Sequence, residues 1–343
     1  MKKYLLACIS FILLFSLIPS LTKTATAVTI DKNKTCTVGT KKTKYFVNVP
    51  VTTLWTSPNQ VRSIDKLIYE KNPDVSLWNR SLTVSQKLDT LGRIDTQALY
   101  GQEVKVIKRQ KKWLKVAVTD QYSPKSKQGY IGWVPASHII STKKNASKCT
   151  IVIVKEKVAN LYASTKSKQK SMQISFNTIL PVIGETNKWY VIQTPAGTKR
   201  YIKKAIVHKY RNYASIPKPT AKDLITTGKE FLGLPYLWGG ISAYGFDCSG
   251  FVYSIYKQHG ILIPRDSSVQ AVNGKPVSLK NLKPGDLLFF ANNNGKGKIH
   301  HVAMYIGKGQ IIHSPNYNRS LEIRLLQTQP YQNELVSARR YLK

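Results

Sequence analysis

One succession of short runs occurs twice in this chain, in the same order. The first copy reads KYFVNVPVTTLW, EVKVIKRQKKWLKVAV and GYIGWVP within residues 38–140, and the second reads KCTIVIVKEKVANLYAS, TILPVIGETNKWYVIQTP and GTKRYIKKAIVH. In both, β-branched and aromatic residues alternate with polar ones, as in strands buried on one face. Leu54-Trp55 corresponds to Leu161-Tyr162, Lys112-Trp113 to Lys188-Trp189, and Tyr130-Ile131 to Tyr201-Ile202. Order and residue type recurring together point to a duplicated all-β unit, which predicts two small antiparallel barrels. Residues 59–95 interrupt the first copy, and Ile64, Leu67 and Ile68 at helical spacing predict a helical insert there.

A length of 343 residues fits two or three domains. Lys2 and Lys3, an apolar run over residues 4–21 and Ala25-Thr26-Ala27 form a secretory signal with cleavage after Ala27. Ser16, Pro19 and Ser20 leave too short an apolar stretch for a comfortable span, so the membrane is met only through this segment before its removal. The expected divisions are 1–27 leader, 28–146 first barrel with insert, 147–212 second barrel, and 213–343 a third domain. Two Pro in 211–220 mark the last boundary.

The formal charge is +36, most of the excess lying before residue 213. Such a charge calls for a polyanion. Export argues against nucleic acid and for a secreted or wall-associated protein that meets anionic wall polymers; a merely solvated basic surface is the plainer alternative. Three Cys follow the leader: Cys36, Cys149 and Cys248. Joining the first two would staple both ends of one domain, and their Cα separation decides whether that happens.

Cys248 is the odd one out. It lies in Asp247-Cys248-Ser249-Gly250, and Phe251, Val252, Ile255 and Tyr256 then recur as one buried helical face. Asp247 suits the N-cap and puts Cys248 in the first turn, where the helix dipole favours a thiolate. A thiol nucleophile needs a base and a group that orients it. His300 and His301 begin a strand that ends at Gly307-Lys308-Gly309, and His313 closes the next. A three-residue Gly-Lys-Gly loop sets Ala303 opposite His313 and puts His301 on its face; a two-residue loop would put His300 there. The first register makes His301 the base, His313 its orienter and His300 an outward bystander. The His residues form no separate ligand cluster and Cys-x-x-Cys is absent, so neither metal nor cofactor is called for.

PYLWGG (235–240), GFDCSGFV (245–252), PRDSSVQ (264–270), LKPGDLLFF (282–290), HVAMYIG (301–307) and IIHSP (311–315) together resemble the NlpC family of cell-wall cysteine peptidases. The two repeats resemble bacterial SH3-type domains. The resemblance implies an α+β, papain-like cysteine peptidase domain preceded by two small all-β SH3-type barrels. It implies hydrolysis of the amide bond from the D-Glu γ-carboxyl to a diamino acid in peptidoglycan stem peptides. Cys248 would be nucleophile, His301 general base and acid, and His313 the orienting residue. The Cys248 N–H and the Tyr236 hydroxyl would serve the oxyanion. Ser249 and Ser267 would hold the D-Glu α-carboxylate. Arg265 would add charge there, or form a structural ion pair with Asp266 or elsewhere. Trp238 would wall the pocket or pack in the core. Some relatives with paired SH3-type domains require a free N-terminal L-Ala, which implies an amine pocket of Asp95, Tyr130 and Asp247. The N-cap role of Asp247 competes with that one. The alternatives are a lytic enzyme acting on intact stems with the barrels as wall anchors, and a non-catalytic wall-binding protein.

Overall fold

The structure, a computed structural model, describes residues 36–343. The leader expected in 1–27 lies outside them. Across the first seven-stranded sheet run Ile94–Leu99, Val51–Trp55, Tyr130–Pro135, Trp113–Val118, Glu103–Gln110, Val38–Val47 and Ile139–Asn145. Across the second run Lys170–Ser175, Val158–Tyr162, Lys199–Lys203, Trp189–Gln193, Ile179–Glu185, Ile151–Val154 and Val207–Tyr210. The two orders agree strand for strand, so the repeated sequence is a repeated topology. One correspondence shifts. Trp55 pairs with Trp133 as Tyr162 pairs with Tyr201, so Trp133-Val134, not Tyr130-Ile131, is the partner of Tyr201-Ile202. Both dipeptides put an aromatic residue next to a β-branched one, and only register separates them.

Leu54, Val116 and Val134 fill the first barrel, and Leu161, Ile192 and Ile202 the second. On the outer face of the first barrel the insert forms short helices, among them Lys66–Tyr69 and Val75–Ser81. They press the fully buried Ile68 and Trp78 into the same cluster as Trp55. Ile64 precedes the helix and is exposed, and the insert ends before Ile94, so Asp95 stands on a strand. Cys36 and Cys149 form a disulfide with Cα atoms 4.9 Å apart.

In the third region a six-stranded antiparallel sheet runs Lys275–Val277, Leu335–Arg340, Leu287–Ala291, Ile299–Gly307, Gln310–His313 and Glu322–Leu325. The Cys248–Gln258 helix packs on Ile299–Gly307 and is buried along its whole length. One apolar cluster crosses all three regions, from Trp55 and Trp78 through Phe176 to Phe231, Phe246 and Phe251. Polar ties reinforce it. The buried Lys257 ammonium meets Asp120 at 2.6 Å, and the Asn177 amide donates to the Ser254 carbonyl at 2.6 Å. The barrels are thereby fixed against the third region, which sets what the first barrel presents to the Cys248 helix.

Candidate active site

Asp247 caps the helix and accepts from the Gly250 N–H at 2.6 Å, so Cys248 opens the first turn as the local sequence requires. Cys248 Sγ lies 4.0 Å from the carbonyl oxygen of His300, at the floor of a cleft of about 770 Å³. The expectation of a thiolate does not hold. Burial, then the neighbouring Asp247 charge, push the thiol up to about 12. In the free site the sulfur keeps its proton.

His301 Nε2 and His313 Nδ1 are 2.8 Å apart. The register arises differently from expectation. Gly307 pairs with Gln310 across a two-residue Lys308-Gly309 turn, both residues at positive φ. A bulge between Tyr305 and Gly307 then takes up one residue, so Met304 faces Ile312 and His301 stays on the face of His313. Burial, then His313 and His300, hold His301 well below the usual imidazole range. Burial lowers His313 to about 4 against the opposing pull of Glu322. Both imidazoles are therefore neutral. His300, expected to be an outward bystander, lines the same cleft and meets Glu334 at 3.0 Å.

Glu322 was not legible in the sequence. It stands directly across the ladder from His313, with Oε1 3.4 Å from His313 Nε2, and it is held by Arg319 and Arg324. At 3.4 Å the contact is in ion-pair range without being a hydrogen bond, and the nearby carboxylate favours a proton on His313 Nε2. With that tautomer His313 Nδ1 accepts from His301 Nε2–H, and His301 Nδ1 is left as the basic nitrogen.

The other site residues gather around the same cleft. Tyr236 and Tyr317 meet edge to face at 5.0 Å, and burial pushes both phenols up, so they remain donors. Tyr317, also unforeseen, has a buried hydroxyl with no hydrogen-bond partner among the described residues. Arg265, only 1% exposed, donates to Asp247 at 2.7 and 3.1 Å, to Ser249 Oγ at 2.9 Å and to Thr96 Oγ1 at 2.9 Å. Its ion pair is with Asp247 rather than Asp266, so Asp247 holds a buried cation as well as capping. The Trp238 indole donates to the Ile94 carbonyl at 2.8 Å and lines the cleft. From the first barrel come Asp95 and Tyr130, whose hydroxyl lies 3.2 Å from both carboxylate oxygens of Asp266. Burial raises Asp95 and Asp266 above the usual carboxylate range. Ser267 follows Asp266 on the rim.

The NlpC/P60 family profile matches residues 233–340, a bacterial SH3 domain profile 92–140, and a YKFC SH3b2 domain profile 154–210. A Bacillus cereus gamma-D-glutamyl-L-lysine dipeptidyl-peptidase is 45% identical over 306 residues, covering 88% of this chain and 92% of the relative. The chain belongs to the NlpC/P60 family. A Bacillus subtilis protein of the same designation is 41% identical, over 84% of this chain and 96% of its own. The crystal structure of an NlpC/P60 family protein from Bacillus cereus superposes with a TM-score of 0.84 at 44% identity, covering 88% of this chain and all of that one. The third region of this NlpC/P60 protein is thus the family domain, and the two barrels are SH3-type.

Proposed function

We propose that this protein is an exported cysteine endopeptidase that hydrolyses the γ-D-glutamyl to L-diamino acid amide bond of peptidoglycan peptides bearing a free N-terminal L-Ala. The observation that carries the reading is a thiol at a helix head sharing one cleft with a His301–His313 pair and with carboxylates contributed partly by the SH3-type barrel. A papain-like arrangement, helix head against sheet-borne imidazole, fits this layout. So do the gamma-D-glutamyl-L-lysine dipeptidyl-peptidase designations of the relatives.

In the proposed cycle His301 Nδ1 takes the Cys248 proton as sulfur attacks the γ-carbonyl carbon. The Cys248 N–H and the Tyr236 hydroxyl hold the oxyanion. On collapse His301 gives its proton to the departing α-amine, leaving a thioester. Water then loses a proton to His301 and attacks the thioester. The acid product leaves, and the proton returns to sulfur. Because the resting thiol is neutral, the thiolate nucleophile and the imidazolium acid are generated together in the attack step.

Ser249 and Ser267 suit the D-Glu α-carboxylate, with Arg265 holding Ser249 in place. The L-Ala ammonium suits Asp95, Asp266 and Tyr130, and Asp247, spent on Arg265, supports from behind. The first barrel closes this end of the cleft, which favours released peptides over intact glycan-linked stems. The Lys2-to-Ala27 leader and the basic barrels suit export and retention on an anionic wall. Incubation with L-Ala-γ-D-Glu-L-Lys, followed by mass spectrometry, tests the reading. It requires L-Ala-γ-D-Glu and lysine as products, and their absence overturns it.

A further inference from the structure

We infer that Glu334, with His300, forms the subsite that receives the ε-ammonium of the diamino acid in the leaving group; the inference rests on the peptidase reading above. Four acidic side chains line the cleft: Asp95, Asp247, Asp266 and Glu334. Asp247 is paired with Arg265, and Asp266 sits with Tyr130, so three of the four belong to the end where the acyl half of the substrate is held. Glu334 belongs to the other end. It closes the Tyr331–Glu334 helix, whose Tyr331 ring packs 4.9 Å from His313 and 6.0 Å from His301. The leaving amine takes its proton from His301, so the residue that departs must lie on the imidazole's side of the sulfur.

The spacing agrees with the chemistry. The His300 and His301 rings are 6.2 Å apart, and Glu334 Oε2 lies 3.0 Å from His300 Nε2. An extended lysine side chain places its nitrogen about 6 Å from its Cα, a reach similar to the step between the two imidazole rings. The Glu334 side chain is 16% exposed and His300 is 39% exposed, so the pair stands at a rim open to an incoming cation while most water is excluded from the carboxylate. Arg319, the nearby cation of the cleft, is held by Glu322 and does not neutralise Glu334. Lysine and diaminopimelate share the ammonium at the ε-carbon, and only the second adds a carboxylate there.

The test compares kcat/KM for L-Ala-γ-D-Glu-L-Lys with that for the Nε-acetyl-lysine peptide, for wild type and Glu334→Gln. A charge-assisted hydrogen bond at a partly exposed site corresponds to a preference of about tenfold or more. Wild type should show that preference and Glu334→Gln should bring the ratio near one. Because the readout is a ratio within one preparation, partial misfolding of the variant does not imitate the result. Glu334→Lys should favour a peptide with L-Glu in the third position over the L-Lys peptide. A diaminopimelate peptide should behave as the lysine one if the ammonium alone is read. A wild type indifferent to acetylation, or a ratio unchanged by both substitutions, overturns the subsite while leaving the peptidase reading intact. No turnover of any of these peptides by wild type overturns that reading, and the subsite with it.

Discussion

Asp266→Asn isolates the pocket for the substrate amine. Asparagine keeps the shape and can still accept from the Tyr130 hydroxyl, which now meets both carboxylate oxygens at 3.2 Å. What it removes is one negative charge, in a site where burial has already raised both Asp266 and Asp95. Loss of one charge-assisted hydrogen bond to the L-Ala ammonium costs about 1.5–3 kcal/mol, or roughly 10- to 150-fold in kcat/KM. N-acetylating the substrate removes both such interactions and should cost about 3–6 kcal/mol in wild type. The assay is product release by chromatography for free and acetylated L-Ala-γ-D-Glu-L-Lys, with wild type and variant forming a cycle. The variant should lose activity only on the free peptide. Equal losses on both peptides would refute the pocket, because the carboxylate would then be acting through the fold. The same groups set the pH profile. Their raised pKa values mean that they take up protons earlier as pH falls, so the acid limb of kcat/KM lies above the usual carboxylate range. Burial shifts His301 the other way, so it takes up its proton at lower pH than an ordinary imidazole.

Three further outcomes are expected. Alkylation of Cys248 by iodoacetamide should keep accelerating well beyond the ordinary thiol range, about pH 8.5, because the thiol is pushed up to about 12; a plateau at or below neutrality would reveal a resting thiolate–imidazolium pair instead. Glu322→Ala frees the His313 tautomer and should lower kcat about tenfold or more with KM little changed, whereas Glu322→Gln, which can still accept from His313, should recover part of it. Trp78→Ala empties a fully buried indole site in the cluster shared by barrel and family domain, and should cost about 3–5 kcal/mol in denaturant unfolding; a loss under 1 kcal/mol would show that the insert does not brace the domains.

The barrels were legible because a period-two pattern repeated in one order leaves little freedom, yet the exact match of Tyr201 went to Trp133 through hydrogen-bond register, which composition does not carry. Cys248 was legible as a helix-capped residue after a glycine turn. Its ionisation was not, since burial outweighs the helix end and depends on segments distant in the chain, such as the His300 strand. His301 was reached through a three-residue loop, whereas a two-residue turn and a bulge give the same face; the alternation of side chains fixed the outcome even though the turn differed. Glu322, Tyr317 and the pairing of Asp266 with Tyr130 come from strand pairing or domain contact between distant segments. No local pattern around them signals it. Arg265 was visible as a charge in PRDSSVQ, but its choice of Asp247 over its neighbour Asp266 required the fold.

Covalent capture of the acyl group measures the central claim most directly. Wild type mixed with L-Ala-γ-D-Glu-L-Lys, acid-quenched within a turnover and examined by intact-mass spectrometry, should carry one L-Ala-γ-D-Glu acyl group, mapped by peptide digestion to Cys248. Cys248→Ala should give neither adduct nor product. Product formation by Cys248→Ala, or an adduct on any other residue, would contradict the account.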